Sequence, residues 1–146
     1  MKNFIIILFA VIYMPINSQN LQKIREKDTI YIYFNSSKNQ YHSKEITDSK
    51  QYDNYYFYFN NNEQNAILFA HHYITSPYEK FEKKEFLKKN KDLIITFEFL
   101  AKLGLYESTQ LVGYKKKVYL IDRKDFCFGK IKLKEVKVAF NRMDVE

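Results

Sequence analysis

The adjacent pair His71-His72 holds the side chains of this sequence best suited to chemistry near neutral pH. A metal site would need both rings to converge with further ligands. Successive residues on a strand point to opposite faces, so the pair cannot close on one ion without a local distortion. The remaining histidine, His42, falls in a separate polar stretch. No H-x-H, H-E-x-x-H or C-x-x-C spacing is present, and the sequence predicts no metal and no cofactor. Nucleophilic catalysis has as little support. The single cysteine, Cys127, has no sequence partner, and Gly104, Gly113 and Gly129 stand alone, so no nucleophile elbow, P-loop or dinucleotide fingerprint forms. Paired carboxylates for glycoside hydrolysis can be drawn from Glu98, Glu107 and Asp122, as from many exported domains. No catalytic residue is assigned. A small secreted hydrolase using His71 or His72 with a nearby carboxylate stays as an alternative.

Tyrosine gives the stronger functional signal. Tyr31 and Tyr33 share one face of an alternating segment, opposite Ile30 and Ile32, and Tyr56 and Tyr58 alternate with Phe57 and Phe59. If the two strands are neighbours, Tyr31, Tyr33, Tyr56 and Tyr58 form a plate on one sheet face. Tyrosine offers apolar area with a polar tip at low entropic cost, which suits saccharide or protein recognition. These four are the candidate binding residues.

Charge narrows the partner. The 146 residues carry 24 Lys and Arg against 17 acidic residues, net +7, and 21 of the 24 are lysine. Lysine, Asn, Ile, Phe and Tyr share AT-rich codons, so part of the excess can reflect genome composition. Arg25, Arg123 and Arg142 are too few for forked phosphate recognition. After residue 18 the excess is confined to the second half: residues 19–78 balance six basic against six acidic residues, while residues 79–146 hold seventeen against eleven. An anionic envelope polymer, a saccharide or an acidic protein fits; nucleic acid does not, because the chain reads as exported.

Export rests on residues 1–18. Lys2 precedes an uncharged run from Phe4 to Tyr13, followed by Pro15 and the small Ser18, the order of a secretory signal peptide. The run is shorter than the roughly 20 residues a membrane-spanning helix needs. Cleavage near Ser18 leaves residues 19–146 as one domain, periplasmic or extracellular, with no membrane span. One thiol excludes an intrachain disulfide, so packing must hold the fold. Cys127 reads as a small half-buried residue between Phe126 and Phe128.

The elements that position these groups follow from periodicity. Thr29 to Phe34 alternates strictly and predicts a strand; segments near 55–60, 66–74, 117–121 and 130–140 follow, with a short edge strand near 41–46. Asn60 to Asn65 supplies a hairpin turn. Ser76-Pro-Tyr-Glu79 is a capping box with Pro at the first helical position, and the pairs Glu79/Lys83 and Glu85/Lys89 have helical spacing, so a helix is predicted from Pro77 to about Lys89. Residues 92–103 mix strand and helix signals and are read as a short extended piece, then a helix from about Phe97 to Leu103 ended by Gly104. Ile131 and Leu133 alternate in one register and Val136, Val138 and Phe140 in the other, which predicts a bulge or turn at Glu135. The expected class is α+β: a mainly antiparallel sheet with one or two helices, within 77–103, on one face. The function expected is a small exported, non-catalytic binding or interaction domain. An inhibitor or immunity-type protein against an exported enzyme is a further alternative.

Overall fold

A computed structural model describes residues 18–35, 42–46, 52–60, 62–72, 79–113 and 117–141. Residues 1–17 of the expected signal peptide 1–18, and the Ser76-Pro77-Tyr78 part of the capping box, lie outside the described residues. The described chain runs α1 (Ser18–Glu26), β1 (Thr29–Phe34), β2 (His42–Ile46), β3 (Tyr52–Phe59), β4 (Asn62–His72), β5 (Glu79–Lys83), α2 (Glu85–Lys89), β6 (Ile94–Thr96), α3 (Phe97–Leu111), β7 (Lys117–Asp122) and β8 (Lys130–Asn141). The fold is mixed α and β. Its sheet has the order β2-β3-β4-β8-β7-β1-β6, with β5 also paired to β8. The pairs of β1 with β6 and with β7 are parallel, and the others are antiparallel.

Alternation places β1 as its sequence requires: Ile30, Ile32 and Phe34 are buried while Thr29, Tyr31 and Tyr33 are half-buried. Tyr55, Phe57 and Phe59 of β3 join the same core, with Ile67 and Phe69 of β4 and Val118 and Leu120 of β7. In the sheet order β3 and β1 stand four strand steps apart, about 19 Å across a flat sheet. Yet the Phe34 and Tyr55 ring centroids are 5.5 Å apart, and both Phe34 and Phe57 contact Phe97 of α3. The sheet therefore curls around the start of α3, with the core on its concave side.

Helix α3 begins where Thr96 accepts a hydrogen bond from the Phe99 N–H at 3.2 Å, an N-cap. Gly104 does interrupt helical geometry, at φ 81° and ψ 169°, but the chain turns back into helix and runs on to Leu111. Ser108 Oγ, buried, donates to the Leu100 carbonyl at 2.9 Å and stitches the two halves across the break. An added Cβ at Gly104 would meet nothing within 4 Å, so the glycine is needed for its dihedral angles and not for space. Gly104→Ala should cost about 1–3 kcal/mol, because that backbone region is essentially reserved for glycine. Thermal unfolding checks this: an unchanged Tm would mean that the helix break relaxes without penalty.

Four sequence expectations are corrected. Among the described residues of the helix predicted from Pro77 to about Lys89, Glu79–Lys83 is instead strand β5, paired with β8 from Glu79↔Lys134 to Lys83↔Lys130, and only Glu85–Lys89 is helical. A tertiary partner on β8 overrides the local helix signals. Residues 19–28, whose polar composition and mixed charge predict no regular element, contain most of α1, whose Ile24 is buried in the core and whose Arg25 pairs with Glu107 of α3. No bulge is recorded at Glu135 either. Strand β8 runs unbroken, and its two registers serve two faces: Ile131 and Leu133 pack with Ile121, Tyr31, Tyr33, Phe86 and Leu87, whereas Val136 joins the main core. Helix therefore covers both faces of the sheet, α1 and α3 one side and α2 the other. Finally, Cys127 is exposed, because it borders a hairpin tip beyond the covered part of the sheet.

Candidate functional site

Two clusters deserve a chemical reading, one inside the molecule and one on its surface. The inner cluster forms where β3, β4 and β8 bring polar side chains onto the core face. Lys134 Nζ donates to Tyr55 Oη at 3.0 Å and to Asp53 Oδ2 at 3.4 Å, and lies 3.5 Å from Asp125 Oδ2. It also sits 5.7 Å from the centre of the Tyr55 ring. His71 stands opposite Asp53 in the β3–β4 ladder, and its Nδ1 lies 2.7 Å from the Glu135 carbonyl oxygen, which fixes the proton on that nitrogen as donor. Lys134, Asp53, Tyr55 and His71 are all buried. Burial pushes the Tyr55 hydroxyl up to about 12, with the Lys134 ammonium opposing it. For Lys134, burial works against the charge, but Tyr55, Asp125 and Asp53 outweigh it and hold the ammonium above the usual lysine range.

This arrangement is an ion-paired cluster. It holds Lys134 charged, which suppresses the free amine a nucleophile would need, and Lys134, Asp53, Tyr55 and His71 are closed off from solvent while Asp125 keeps partial exposure. Of the sequence-singled histidines, His71 belongs to this interior, His72 is the last residue of β4, and His42 opens β2 opposite Phe57. Among the described residues no group of three or more His, Cys, Asp and Glu side chains is placed to hold a metal ion.

The four tyrosines divide into two pairs. Tyr31 and Tyr33 are half-buried beside α2: Tyr31 meets Phe86 edge-on at 5.0 Å and stacks on Tyr119 at 5.6 Å, and Tyr33 meets Phe126 at 6.1 Å. Tyr56 and Tyr58 stack on each other at 6.0 Å with an interplanar angle of 4°. Strands β4, β8 and β7 lie between the pairs, and a sheet that curls toward its core spreads its outer face. The structure does not bring the four together.

The surface cluster lies at the far end of β8. Cys127 and Lys130 exchange backbone hydrogen bonds at 3.1 and 2.8 Å, closing a two-residue turn with Phe128 at φ 47° and Gly129 at φ 74°. Two positive φ values are the signature of a type I′ hairpin turn, whose first position favours Asn, Asp or Gly. Phenylalanine there costs about 1–2 kcal/mol in backbone strain. It gains nothing back from packing, since the side chain is 99% exposed. Phe81 of β5 is 60% exposed and pairs with Lys132, two residues along the ladder from the Lys83↔Lys130 pair beside the turn. Lys84 N donates to the Gly129 carbonyl at 3.1 Å and ties α2 to the tip.

No family model, curated protein sequence or solved structure matches this chain.

The site must therefore be read from its own residues. Segments 79–91 and 123–134, which build β5, α2 and the hairpin, contain eleven basic and four acidic residues, a net charge equal to that of the entire chain. Lys83, Lys84, Lys88, Lys89, Lys124 and Lys130 are exposed in these segments, which also hold Phe81 and Phe128. Sequence reasoning found the lysine excess in the second half but not its focus. Phe128-Gly129 held a usable signal: an aromatic residue in the position where a tight turn calls for Asn.

Proposed function

We propose that this protein is an exported, non-catalytic interaction module that docks on an anionic partner through the end of the sheet where β5 and the β7–β8 hairpin meet the start of α2. One observation carries the reading: the segments that hold the positive excess of the chain also hold two large apolar side chains that the fold leaves in solvent. Export is supported by the Lys2 and Phe4–Tyr13 pattern, and among the described residues no helix is long and apolar enough to cross a membrane. The buried, ion-paired state of Lys134, Asp53 and Tyr55 and the placement of His71 beside them argue against the hydrolase reading. The tyrosine pairs enter this reading only as separate patches, Tyr56 with Tyr58 and Tyr31 with Tyr33.

Charge reversal tests the proposal. On a soluble polyanion such as dextran sulfate, the triple change Lys83→Glu, Lys84→Glu and Lys130→Glu should weaken binding by at least about tenfold, since several phosphate- or sulfate-type contacts are lost together. The matched change Lys23→Glu, Lys102→Glu and Lys137→Glu, also on exposed lysines, should have a far smaller effect. Equal losses from both sets would show that net charge alone governs binding and would remove this face from the argument.

A further inference from the structure

We infer that the partner of this face is an anionic lipid bilayer, with Phe128 as the side chain that enters it. The inference rests on the docking face proposed above and names its partner. Lysines alone suffice to hold a soluble polyanion, which offers a phenylalanine nothing. A bilayer surface presents both complements together, negative headgroups for the lysines and an apolar phase about 5–10 Å beneath them.

The geometry matches that layered partner. Phe128 is at the apex of a two-residue turn that projects its side chain clear of the sheet. Lys130 follows it directly in the turn, and Lys83 and Lys84 reach the same end through the β5 ladder and the Lys84 N–H bond to Gly129. Phe81 lies about 7 Å further back along the strand, beside Lys132, whose Nζ is 6.0 Å from its ring centre. The order from the tip inward is thus an apolar point, a collar of lysines, then a second aromatic ring flanked by cationic stems. The turn accepts backbone strain to place an aromatic residue there, and sequence offers the fold a cheaper choice in Asn.

The single cysteine supplies a reporter in the native protein, because Cys127 is exposed and adjoins Phe128. An environment-sensitive fluorophore on Cys127 should shift to the blue with vesicles of equimolar phosphatidylglycerol and phosphatidylcholine, and not with phosphatidylcholine alone. Added salt should weaken the response. Phe128→Asn introduces the residue the turn prefers, so the fold is preserved. In sedimentation with unlabelled protein it should bind the anionic vesicles at least about tenfold more weakly, while its affinity for dextran sulfate is unchanged. Phe81→Ala should weaken vesicle binding less. Binding of dextran sulfate without binding of anionic vesicles would overturn the lipid assignment and leave the docking face standing, pointing to an acidic polymer or protein. Equal vesicle binding by Phe128→Asn would overturn the role of the aromatic tip. Failure to bind either probe would sink the docking face as well.

Discussion

Replacing Lys134 with methionine should destabilise the protein by about 3–5 kcal/mol, the scale for removing one partner of a buried ion pair. Methionine is close to lysine in length, so the loss would come from charge more than from volume. Asp53, 4% exposed, would keep its carboxylate in the interior without the ammonium 3.4 Å away, and Tyr55 Oη would lose its 3.0 Å donor. Asp125 is more exposed and can turn toward water, so it contributes less to the penalty. The double variant Lys134→Met/Asp53→Asn should recover a large part of the loss, because it removes the stranded charge. Denaturant unfolding measures both, and a single-variant effect under 1 kcal/mol would show that water reaches the cluster freely.

The same cluster fixes the direction of a pH response. Tyr55 and Lys134 both have folded-state values above their ordinary 10.0 and 10.5. Each holds its proton more tightly in the folded chain than in the unfolded one. Their contribution is therefore complete below about pH 10 and is lost as pH rises through the folded-state values, about 12 for Tyr55. Stability should fall steeply across that alkaline window, and the Tyr55→Phe variant should show a shallower fall.

Much of the sheet was legible because its signals are local. The period-two patterns of Thr29 to Phe34 and Lys117 to Ile121 mark strands whatever they pair with. The extended piece and the helix start at Phe97 were readable from the change of period at Thr96. The helix signals at residues 79–83 were equally local and misled, because i,i+4 spacing cannot register a strand partner about fifty residues away on β8. The paired registers of β8 carried more information than was drawn from them. A strand that changes its apolar face without a bulge must serve two cores, and Lys134, in register with Val136, must then turn inward. The ion cluster itself was beyond local reading, since Asp53 and Lys134 are 81 residues apart in sequence. The tyrosine plate depended on strand order, which alternation does not encode.

Phe97→Ala should cost about 3–5 kcal/mol, the range for removing a buried aromatic ring. Phe97 is 2% exposed and stacks on Phe57 at 4.9 Å, with Phe34 at 5.0 Å and Phe69 at 5.8 Å. These partners come from β3, β1 and β4, strands drawn from both arms of the curled sheet. A methyl group in place of the ring would leave all three facing a void at the point where α3 enters the core. Small domains hold only about 5–15 kcal/mol in total, so the variant should sit near the edge of folding at 37 °C. Phe97→Leu keeps most of the volume and should fall well short of that loss, which separates packing from the aromatic contacts. If Phe97→Ala melts within a few degrees of the native chain, the two arms are not joined through this ring. The curvature that holds the lysine-rich hairpin and β5 at one end of the sheet would then need another cause.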